Sequence, residues 1–283
     1  MGGGGLVGIA WELGVLAGLQ EAAGLEPTAA AVIVGSSAGS VAGAQAALGK
    51  DLRALVDRQL RTAADATESV GTAEAGAASA PRTIPQGILE AMMTATGTME
   101  ERAATVGKLA LDADVPIDEN AYVESFRSFL DTDAWPDVDL RVSTAEAETG
   151  RSVLWSRDDG IDLVRAVASS CAIPGFFPPV RFGDKRYVDG PRGGYLARLA
   201  EEKALDGILF IGPNAALPPQ FARQVELEEL AAAGMEVVMV TGGDVLVDIG
   251  MNLMDPRLRA RAAEAGLADG REAAVHVKAL LAR

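Results

Sequence analysis

Two short segments of this 283-residue chain hold the residues best suited to chemistry. Residues 35–39 read Gly-Ser-Ser-Ala-Gly and fit the pattern G-x-S-x-G, with Ser37 at its centre and Gly35 and Gly39 at its ends. An apolar run at 31–34 precedes the pattern and a helix-compatible run at 40–48 follows it, which is the strand–turn–helix context of a nucleophile elbow. Small neighbours let the backbone turn sharply, so we expect an exposed Ser37 hydroxyl at a helix N-terminus that favours negative charge.

A serine hydroxyl becomes a useful nucleophile only when a base removes its proton. The second segment offers Asp189, which precedes Gly190 and ends a predicted strand at Lys185–Val188. A carboxylate in water is a weak base, but burial raises its pKa. The chain has one histidine, His276, in a helix-like tail, whereas a triad histidine ordinarily lies on a loop. We expect Asp189 to act on Ser37, with a Ser37–Asp189–His276 triad in α/β-hydrolase order as the alternative.

A glycine-rich run at residues 2–8 is the candidate oxyanion hole. Consecutive backbone N–H groups that lead into a helix N-terminus can point at one anion, and we expect the amides of Gly3, Gly4 and Gly5 to do so. Gly3, Gly5 and Gly8 also fit G-x-G-x-x-G, which alone is a weak sign of a dinucleotide site. The elbow begins at Gly35, only 27 residues after Gly8, and this spacing favours the oxyanion loop of a hydrolase.

Composition excludes several classes of function. The net charge is −15, so nucleic-acid binding, which needs clustered Lys and Arg, is not expected. An anionic bilayer would repel the chain, so any contact with a membrane or lipid surface would be local, apolar and transient. One cysteine and one histidine exclude a disulfide within the chain, a thiolate metal cluster and a histidine zinc site. We expect no metal and no cofactor, and nothing in the sequence indicates an oligomeric state.

The order of elements predicts an α/β fold. Apolar residues at 9, 13, 16 and 19 predict a buried helix that ends at Gly24. Strands are predicted at 31–34, 138–145, 152–155, Lys185–Val188, Gly207–Ile211 and Glu236–Val240, and the helical stretches between them indicate a largely parallel sheet. Residues 138–145 alternate between apolar and polar types and are expected to form a hairpin with 152–155. Prolines make residues 173–180 an ordered loop.

Residues 51–120 are rich in Ala, Thr and Ser, and backbone breakers cluster at 77–87. We expect two or three helices around a mobile loop, forming a helical cap or lid within a single domain that spans residues 1–283. The stretch from Leu89 to Leu109 is compatible with a helix, and its Met92 and Met93 suit either core filling or the lining of a substrate pocket. We find no run of 18 apolar residues and no signal-peptide pattern, so no membrane-spanning segment is expected.

Taken together, the motifs resemble the patatin-like phospholipase family, in a bacterial branch. The resemblance covers roughly residues 2–200. It rests on three motifs that occur in the family's order: Gly3-Gly4-Gly5-x-x-Gly8, Gly35-x-Ser37-x-Gly39 and Asp189-Gly190. Residues 9–16 and 169–179 are two further similar segments. It implies a three-layer α/β/α sandwich with a mostly parallel central sheet. It also implies a Ser37–Asp189 dyad that works without histidine, and an oxyanion hole built from the Gly4 and Gly5 amides.

The resemblance further implies cleavage of fatty-acyl esters of phospholipids or neutral lipids through an acyl-enzyme. It suggests a cytoplasmic bacterial protein with peripheral lipid contact, and we expect the substrate site to be lined by Met92, Met93, Pro174 and Phe176. Val7 stands where many members carry Arg or Lys. The strand that ordinarily precedes the glycine loop is missing, which leaves a fragment of a longer chain and a wrongly assigned start as open alternatives. A catalytically degenerate lipid-binding or regulatory protein is the alternative function.

Overall fold

The structure is a computed structural model that describes residues 1–64, 83–190, 195–214 and 224–282. The chain divides into two compact units, each assembled from separate stretches of sequence. The first unit comprises Met1–Glu68, Pro136–Asp139 and Arg192–Arg283, and the second comprises Ser69–Trp135 and Leu140–Pro191. Ser37 therefore belongs to the first unit and Asp189 to the second. The single domain with a cap at 51–120 stays a prediction.

Helices and strands alternate along much of the described chain. The N-terminal part contains α1 (Gly5–Ala23), β1 (Ile33–Ser36), α2 (Ala38–Ala47) and α3 (Leu52–Ala64). Next come α4 (Gln86–Thr94), α5 (Met99–Asp112), α6 (Glu119–Ser125) and α7 (Arg127–Leu130). The middle contains β2 (Leu140–Glu146), β3 (Ser152–Trp155), α8 (Leu163–Ser170), β4 (Val180–Phe182) and β5 (Lys185–Val188). The C-terminal part contains α9 (Leu196–Glu202), β6 (Gly207–Ile211), α10 (Gln224–Ala232), β7 (Glu236–Val240), α11 (Asp244–Ile249) and α12 (Arg259–Leu281).

Helix α1 is the centre of the first unit. Its residues 6–19 are all buried, because the helix is apolar on nearly every side. Glycines let α1 touch α12 backbone to backbone: a Cβ added to Gly14 would lie 2.3 Å from Ala263 O, and one on Gly266 would lie 2.1 Å from Trp11 O. The buried Trp11 Nε1 donates a hydrogen bond to the Asp269 carboxylate at 2.7 Å. The packing of α1 against α12 therefore supports the chain segments just before and just after α1.

By length and composition, α1 is able to cross a membrane, which differs from the expectation that no segment would qualify. In the folded protein, however, 78% of its most apolar 18-residue window is buried inside the molecule. A core helix meets the same criterion as a membrane span, so this property is weak evidence for a span.

The first unit also holds β1 and the predicted parallel pair of strands. Strands β6 and β7 pair in parallel from Gly207 opposite Glu236 to Ile211 opposite Val240, and α10 lies in the crossover that a parallel pair requires. Helix α3 contacts α1 and α12. The first part of the expected cap therefore packs within this unit.

In the second unit, the described strand pairs are antiparallel. Strand β2 pairs with β3 and β5, and β4 pairs with β5. This differs from the expected mostly parallel sheet, because short connections join β2 to β3 and β4 to β5 and reverse the chain direction. Gly150 and Gly183 occupy these turns with φ of 75° and 64°. The predicted hairpin of β2 with β3 is present. Strand β2 lies between β3 and β5 and is buried at nearly every position, although its residue types alternate.

Other predicted elements are present with shifted boundaries. The first helix ends as predicted, at Gly24 with φ of 70°, whereas β1 begins two residues later than the apolar run at 31–34. The helix-compatible stretch from Leu89 to Leu109 is split into α4 and α5. The break occurs because Gly97 has φ of 103° and Thr98 forms a capping box with Glu101 at the start of α5. Residues 77–82 of the predicted mobile loop lie outside the described residues.

Candidate active site

Ser37 forms the sharp turn between β1 and α2. Its backbone has φ of 52° and ψ of −122°, a conformation that a non-glycine residue adopts only when its surroundings impose it. Helix α2 begins at the next residue, so Ser37 lies at the N-terminus of a ten-residue helix. The N–H groups and dipole of such an end favour negative charge. The predicted strand–turn–helix geometry around Ser37 is therefore present.

Gly35 and Gly39 make this turn possible, because neither position has room for a side chain. A Cβ on Gly35 would lie 2.4 Å from Gly39 O, and a Cβ on Gly39 would lie 2.5 Å from Gly2 O. The N–H and Oγ of Ser40 both donate to Ser37 O, at 2.8 and 2.7 Å. Strand β1 thus passes directly against the first turn of α2, and that turn passes directly against the N-terminal glycines.

Hydrogen bonds hold the glycine run beside the elbow. Gly2 N–H donates to Ile211 O at 2.8 Å, and Gly39 N–H donates to Gly2 O at 2.7 Å. Gly39 is only two residues from Ser37, so the first unit brings the glycine run and the candidate nucleophile together. Gly5, where α1 begins, has φ of 59°, which turns the chain from the extended run into the helix.

The amides of Gly3, Gly4 and Gly5 make no hydrogen bond to any other residue in the described ranges. The next glycine is engaged, because Gly8 N–H donates to Gly4 O at 2.7 Å. Gly8 also lets α1 approach α2, since a Cβ there would lie 3.1 Å from Ala38 Cβ. Three adjacent N–H groups at the start of a helix form the kind of site that binds an anion.

The exposure of Ser37 differs from the prediction. The residue is 5% exposed, whereas an exposed hydroxyl was expected. The difference arises because residues 38–47 of α2 are all buried and the first turn of the helix packs against residues 1 and 2. A buried hydroxyl is shielded from water, and electrostatic interactions with neighbouring charges are stronger there.

Asp189 directly follows β5 in the second unit and is half-buried. Its N–H donates to Ala172 O at 2.9 Å, which ties it to the residue just before the predicted loop at 173–180. Gly190 must lack a side chain, because a Cβ there would lie 2.2 Å from Ala145 Cβ. The fully buried Thr144 of β2 donates to Val188 O at 2.8 Å and so fixes the residue just before the aspartate.

Tyr122 is a residue near Asp189 that the sequence analysis did not identify. It is fully buried, its hydroxyl donates to Ala168 O at 3.2 Å, and its ring stacks on Phe177 at 4.8 Å. Burial raises the pKa of Tyr122 well above its usual value, and electrostatic interactions with Cys171 and Asp189 raise this pKa further. The phenol therefore stays protonated and neutral. Thr144 was not identified either; the sequence signals available for the two residues were a lone tyrosine in a polar helix and a threonine within a predicted strand.

The residues predicted to line the substrate site lie on two neighbouring elements of the second unit. Helix α4 carries Met92, which is half-buried, and Met93, which is 48% exposed. The loop before β4 carries Pro174, which is buried, and Phe176, which is half-buried. The two elements touch at Gly175, where a Cβ would lie 2.4 Å from Ile88 Cδ1 of α4. The structure thus brings these two elements together, and their contact with a substrate stays a prediction.

His276 lies on an exposed position of α12 in the first unit, as expected for a surface histidine in a helical tail. Within the described ranges, no group of three His, Cys, Asp or Glu side chains is placed to hold a metal ion. Ser37 belongs to the first unit and Asp189 to the second, so their pairing as a dyad stays a prediction.

Comparisons with known proteins give the family of the chain. No curated protein matches it. Two solved structures match the chain at low identity: the type III effector protein ExoU at 17% identity and a TM-score of 0.41, and VipD from Legionella pneumophila at 15% identity and a TM-score of 0.45. These alignments cover 98% and 97% of this chain, but the chain spans only about half of ExoU (52%) and 66% of VipD. A family model described as patatin-like phospholipase matches residues 1–191, two thirds of the sequence. The chain therefore belongs to the patatin-like phospholipase family.

Proposed function

We propose that the protein is a serine acyl hydrolase that cleaves fatty-acyl esters of phospholipids or neutral lipids. Ser37 is the nucleophile, Asp189 is its base, and the amides of Gly3, Gly4 and Gly5 form the oxyanion hole. The observation that carries the proposal is the bond from Gly39 N–H to Gly2 O. That bond joins the elbow of Ser37 to a run of three adjacent glycine amides at the start of α1.

The chemistry of this arrangement suits acyl transfer. When a serine oxygen attacks an ester carbonyl, negative charge develops on the carbonyl oxygen. Two helix N-termini favour that charge, since Ser37 precedes α2 and the glycine amides precede α1. Losing one donor of an oxyanion hole typically costs about 10²–10³ in rate, so correctly placed amides are a large part of catalysis.

The proposed reaction has two halves. Asp189 removes the proton of the Ser37 hydroxyl while Ser37 Oγ forms a bond to the ester carbonyl carbon. The tetrahedral intermediate collapses, the C–O bond to the alcohol breaks, and the alcohol leaves with the proton from Asp189. Water then gives a proton to Asp189 and attacks the acyl-serine. Collapse of the second intermediate releases the fatty acid and returns the proton to Ser37.

The position of His276 favours Asp189, not a histidine, as the base that activates Ser37. That side chain is exposed on a long helix, whereas Ser37 is almost fully buried. Asp189 is half-buried and next to a position that tolerates only glycine.

Apolar groups of the second unit support a lipid substrate. Helix α4 exposes Leu89 and Met93, which are 46% and 48% exposed and lie one turn apart. The neighbouring loop presents Phe176 and Phe177, whose rings pack edge to face at 4.8 Å. In a chain with a net charge of −15, an apolar face of this kind suits transient contact with a neutral lipid surface better than charge-driven docking.

The proposal is tested by hydrolysis of p-nitrophenyl esters and phospholipid micelles. Ser37→Ala is expected to reduce turnover to background, and Asp189→Asn to lower kcat by about 10²–10⁴, the range for loss of a general base. Ser36→Ala is the matched control, because Ser36 is equally buried and its hydroxyl has no hydrogen-bond partner in the described part of the chain. His276→Ala is expected to retain wild-type kcat. A wild-type protein that binds lipid without any turnover would instead favour a degenerate lipid-binding function.

A further inference from the structure

A buried side-chain amide follows β6 in the first unit. Strand β6 ends at Ile211, and Gly212, Pro213 and Asn214 come directly after it. The Nδ2 atom of Asn214 is buried, and it has no hydrogen-bond partner among the residues that the structure describes. An unpaired buried donor is costly, so each one in a folded protein calls for an explanation, and a catalytic role is one such explanation.

The chain just before Asn214 packs against the glycine run. Gly2 N–H donates to Ile211 O at 2.8 Å. Two residues further along each segment, a Cβ added to Gly4 would lie 2.5 Å from Pro213 Cγ. The segment that leads to Asn214 therefore runs beside the amides proposed to form the oxyanion hole, and it touches them at Gly4.

The nucleophile elbow meets the same segment at Gly8. A Cβ added to Gly8 would lie 3.1 Å from Ala38 Cβ and 3.6 Å from Pro213 Cγ. Ala38 directly follows Ser37, and Pro213 directly precedes Asn214. The candidate nucleophile and Asn214 are thus each one residue away from a single point of contact within the first unit.

We propose that Asn214 is a further catalytic residue, whose Nδ2 donates a hydrogen bond to the ester carbonyl oxygen beside the glycine amides. The inference rests on the proposed function, because the acceptor is the oxygen that becomes negative when Ser37 attacks. Side-chain amides of Asn and Gln serve in oxyanion holes together with backbone N–H groups. Asn214 keeps both amide protons throughout, so its role is electrostatic and the acid–base steps stay with Asp189.

A neutral amide suits a buried position of this kind. Burying an unpaired polar group costs far less than burying an unpaired charge, so Asn214 can wait for its acceptor without unfolding the loop. A hydrogen bond to an ionised acceptor is roughly twice as strong as one between neutral groups. The bond therefore strengthens as the carbonyl oxygen gains charge, and an interaction that is stronger in the transition state raises kcat and leaves KM unchanged.

The test measures kcat, KM and Tm of two variants on a p-nitrophenyl ester. Asn214→Leu removes the amide and keeps a side chain of similar size, and Asn214→Asp keeps the shape and removes the N–H donor. We expect kcat to fall about 10²–10³ in both variants with KM unchanged, and the Tm of Asn214→Leu to stay level or rise because an unpaired buried donor is lost. Ser152→Ala is the control, because Ser152 Oγ in β3 of the second unit is likewise buried and lacks a partner in the described part of the chain; we expect it to retain wild-type kcat.

The thionoester analogue separates a donor from a residue that only supports the fold. Its carbonyl oxygen is replaced by sulfur, which is a weak hydrogen-bond acceptor. Loss of a donor to this atom lowers the rate on the oxygen ester more than the rate on the thionoester. We expect the ratio of the two rates to fall about tenfold or more in Asn214→Leu.

Two results would overturn the role of Asn214 and leave the proposed function standing. One is wild-type kcat in Asn214→Leu or Asn214→Asp while Ser37→Ala is inactive. The other is an equal loss on the oxygen ester and the thionoester, which would mean that Asn214 only holds the loop in place. A wild-type protein that hydrolyses neither ester would instead overturn the proposed function, and the role of Asn214 with it.

Discussion

Replacing Gly39 with alanine is expected to lower kcat about 100-fold while leaving the protein folded. The new Cβ would lie 2.5 Å from both Gly2 O and Met1 C, whereas carbon contacts are comfortable at about 3.5–4.0 Å. Residues 1 and 2 would have to move by about 1 Å, which is enough to cost about two orders of magnitude in rate when it displaces catalytic groups. The same overpacking should cost about 1–3 kcal/mol of unfolding free energy.

Gly43→Ala is the matched control on the same helix. Its Cβ would meet Ile33 Cγ2 and Met1 Sδ at 3.4 Å, which is close to ordinary contact. We expect wild-type kcat and a gain of up to about 1 kcal/mol from the better helix propensity of alanine. The assay is p-nitrophenyl ester hydrolysis, with Tm measured on the same samples. Equal kcat for Gly39→Ala and wild type would refute the placement of the oxyanion hole at the glycine run. Equal losses of kcat in Gly39→Ala and Gly43→Ala would refute it as well.

Three further changes test other parts of the account. Thr144→Val removes the bond to Val188 O, so we expect a lower kcat with unchanged KM and a loss of about 1–3 kcal/mol in urea unfolding. Burial raises the pKa of the Asp269 carboxyl above 3.8, so the folded state binds the carboxyl proton more tightly than the unfolded state, and the free energy of unfolding falls as pH rises through the raised pKa. Asp269→Asn should abolish that fall in unfolding experiments between pH 3 and 7. Asp269→Ala should lower the free energy of unfolding by about 1–3 kcal/mol, because Trp11 Nε1 loses its acceptor. Leu89→Asp should weaken hydrolysis of long-chain emulsified esters more than of short soluble esters, and equal losses would mean that Leu89 only supports the fold.

The elbow could be predicted from the sequence because its glycines are required by contact distances. Gly35 and Gly39 have no room for a Cβ. A strand that is followed by a helix of small residues leaves few other ways to connect the strand to the helix. The strand that ends before Asp189 was predictable because Tyr187 and Val188 are strand-forming residues and the turn pair Asp189-Gly190 directly follows them. Local sequence therefore specified the turn at each candidate residue.

The features that could not be predicted depend on residues distant in the chain. Ser37 is buried because α2 packs on all sides and contacts residues 1 and 2, and no local pattern reports that packing. The antiparallel pairing of β2 with β5 joins residues about 40 apart. Tyr122 lies near Asp189 only through the tertiary fold. Periodicity and turn residues indicate elements, but pairing partners and burial are decided by the whole chain.

The central claim is that Ser37 is the nucleophile and that Asp189, not histidine, activates it. The most direct measurement is mass spectrometry of the protein after reaction with a fluorophosphonate probe, with the modified residue located in a digest and the rate followed on the intact chain. The account predicts one adduct on Ser37, a wild-type rate for His276→Ala, and a rate about 10²–10⁴ lower for Asp189→Asn. An adduct on another residue, or wild-type labelling by Asp189→Asn together with loss of labelling in His276→Ala, would contradict it.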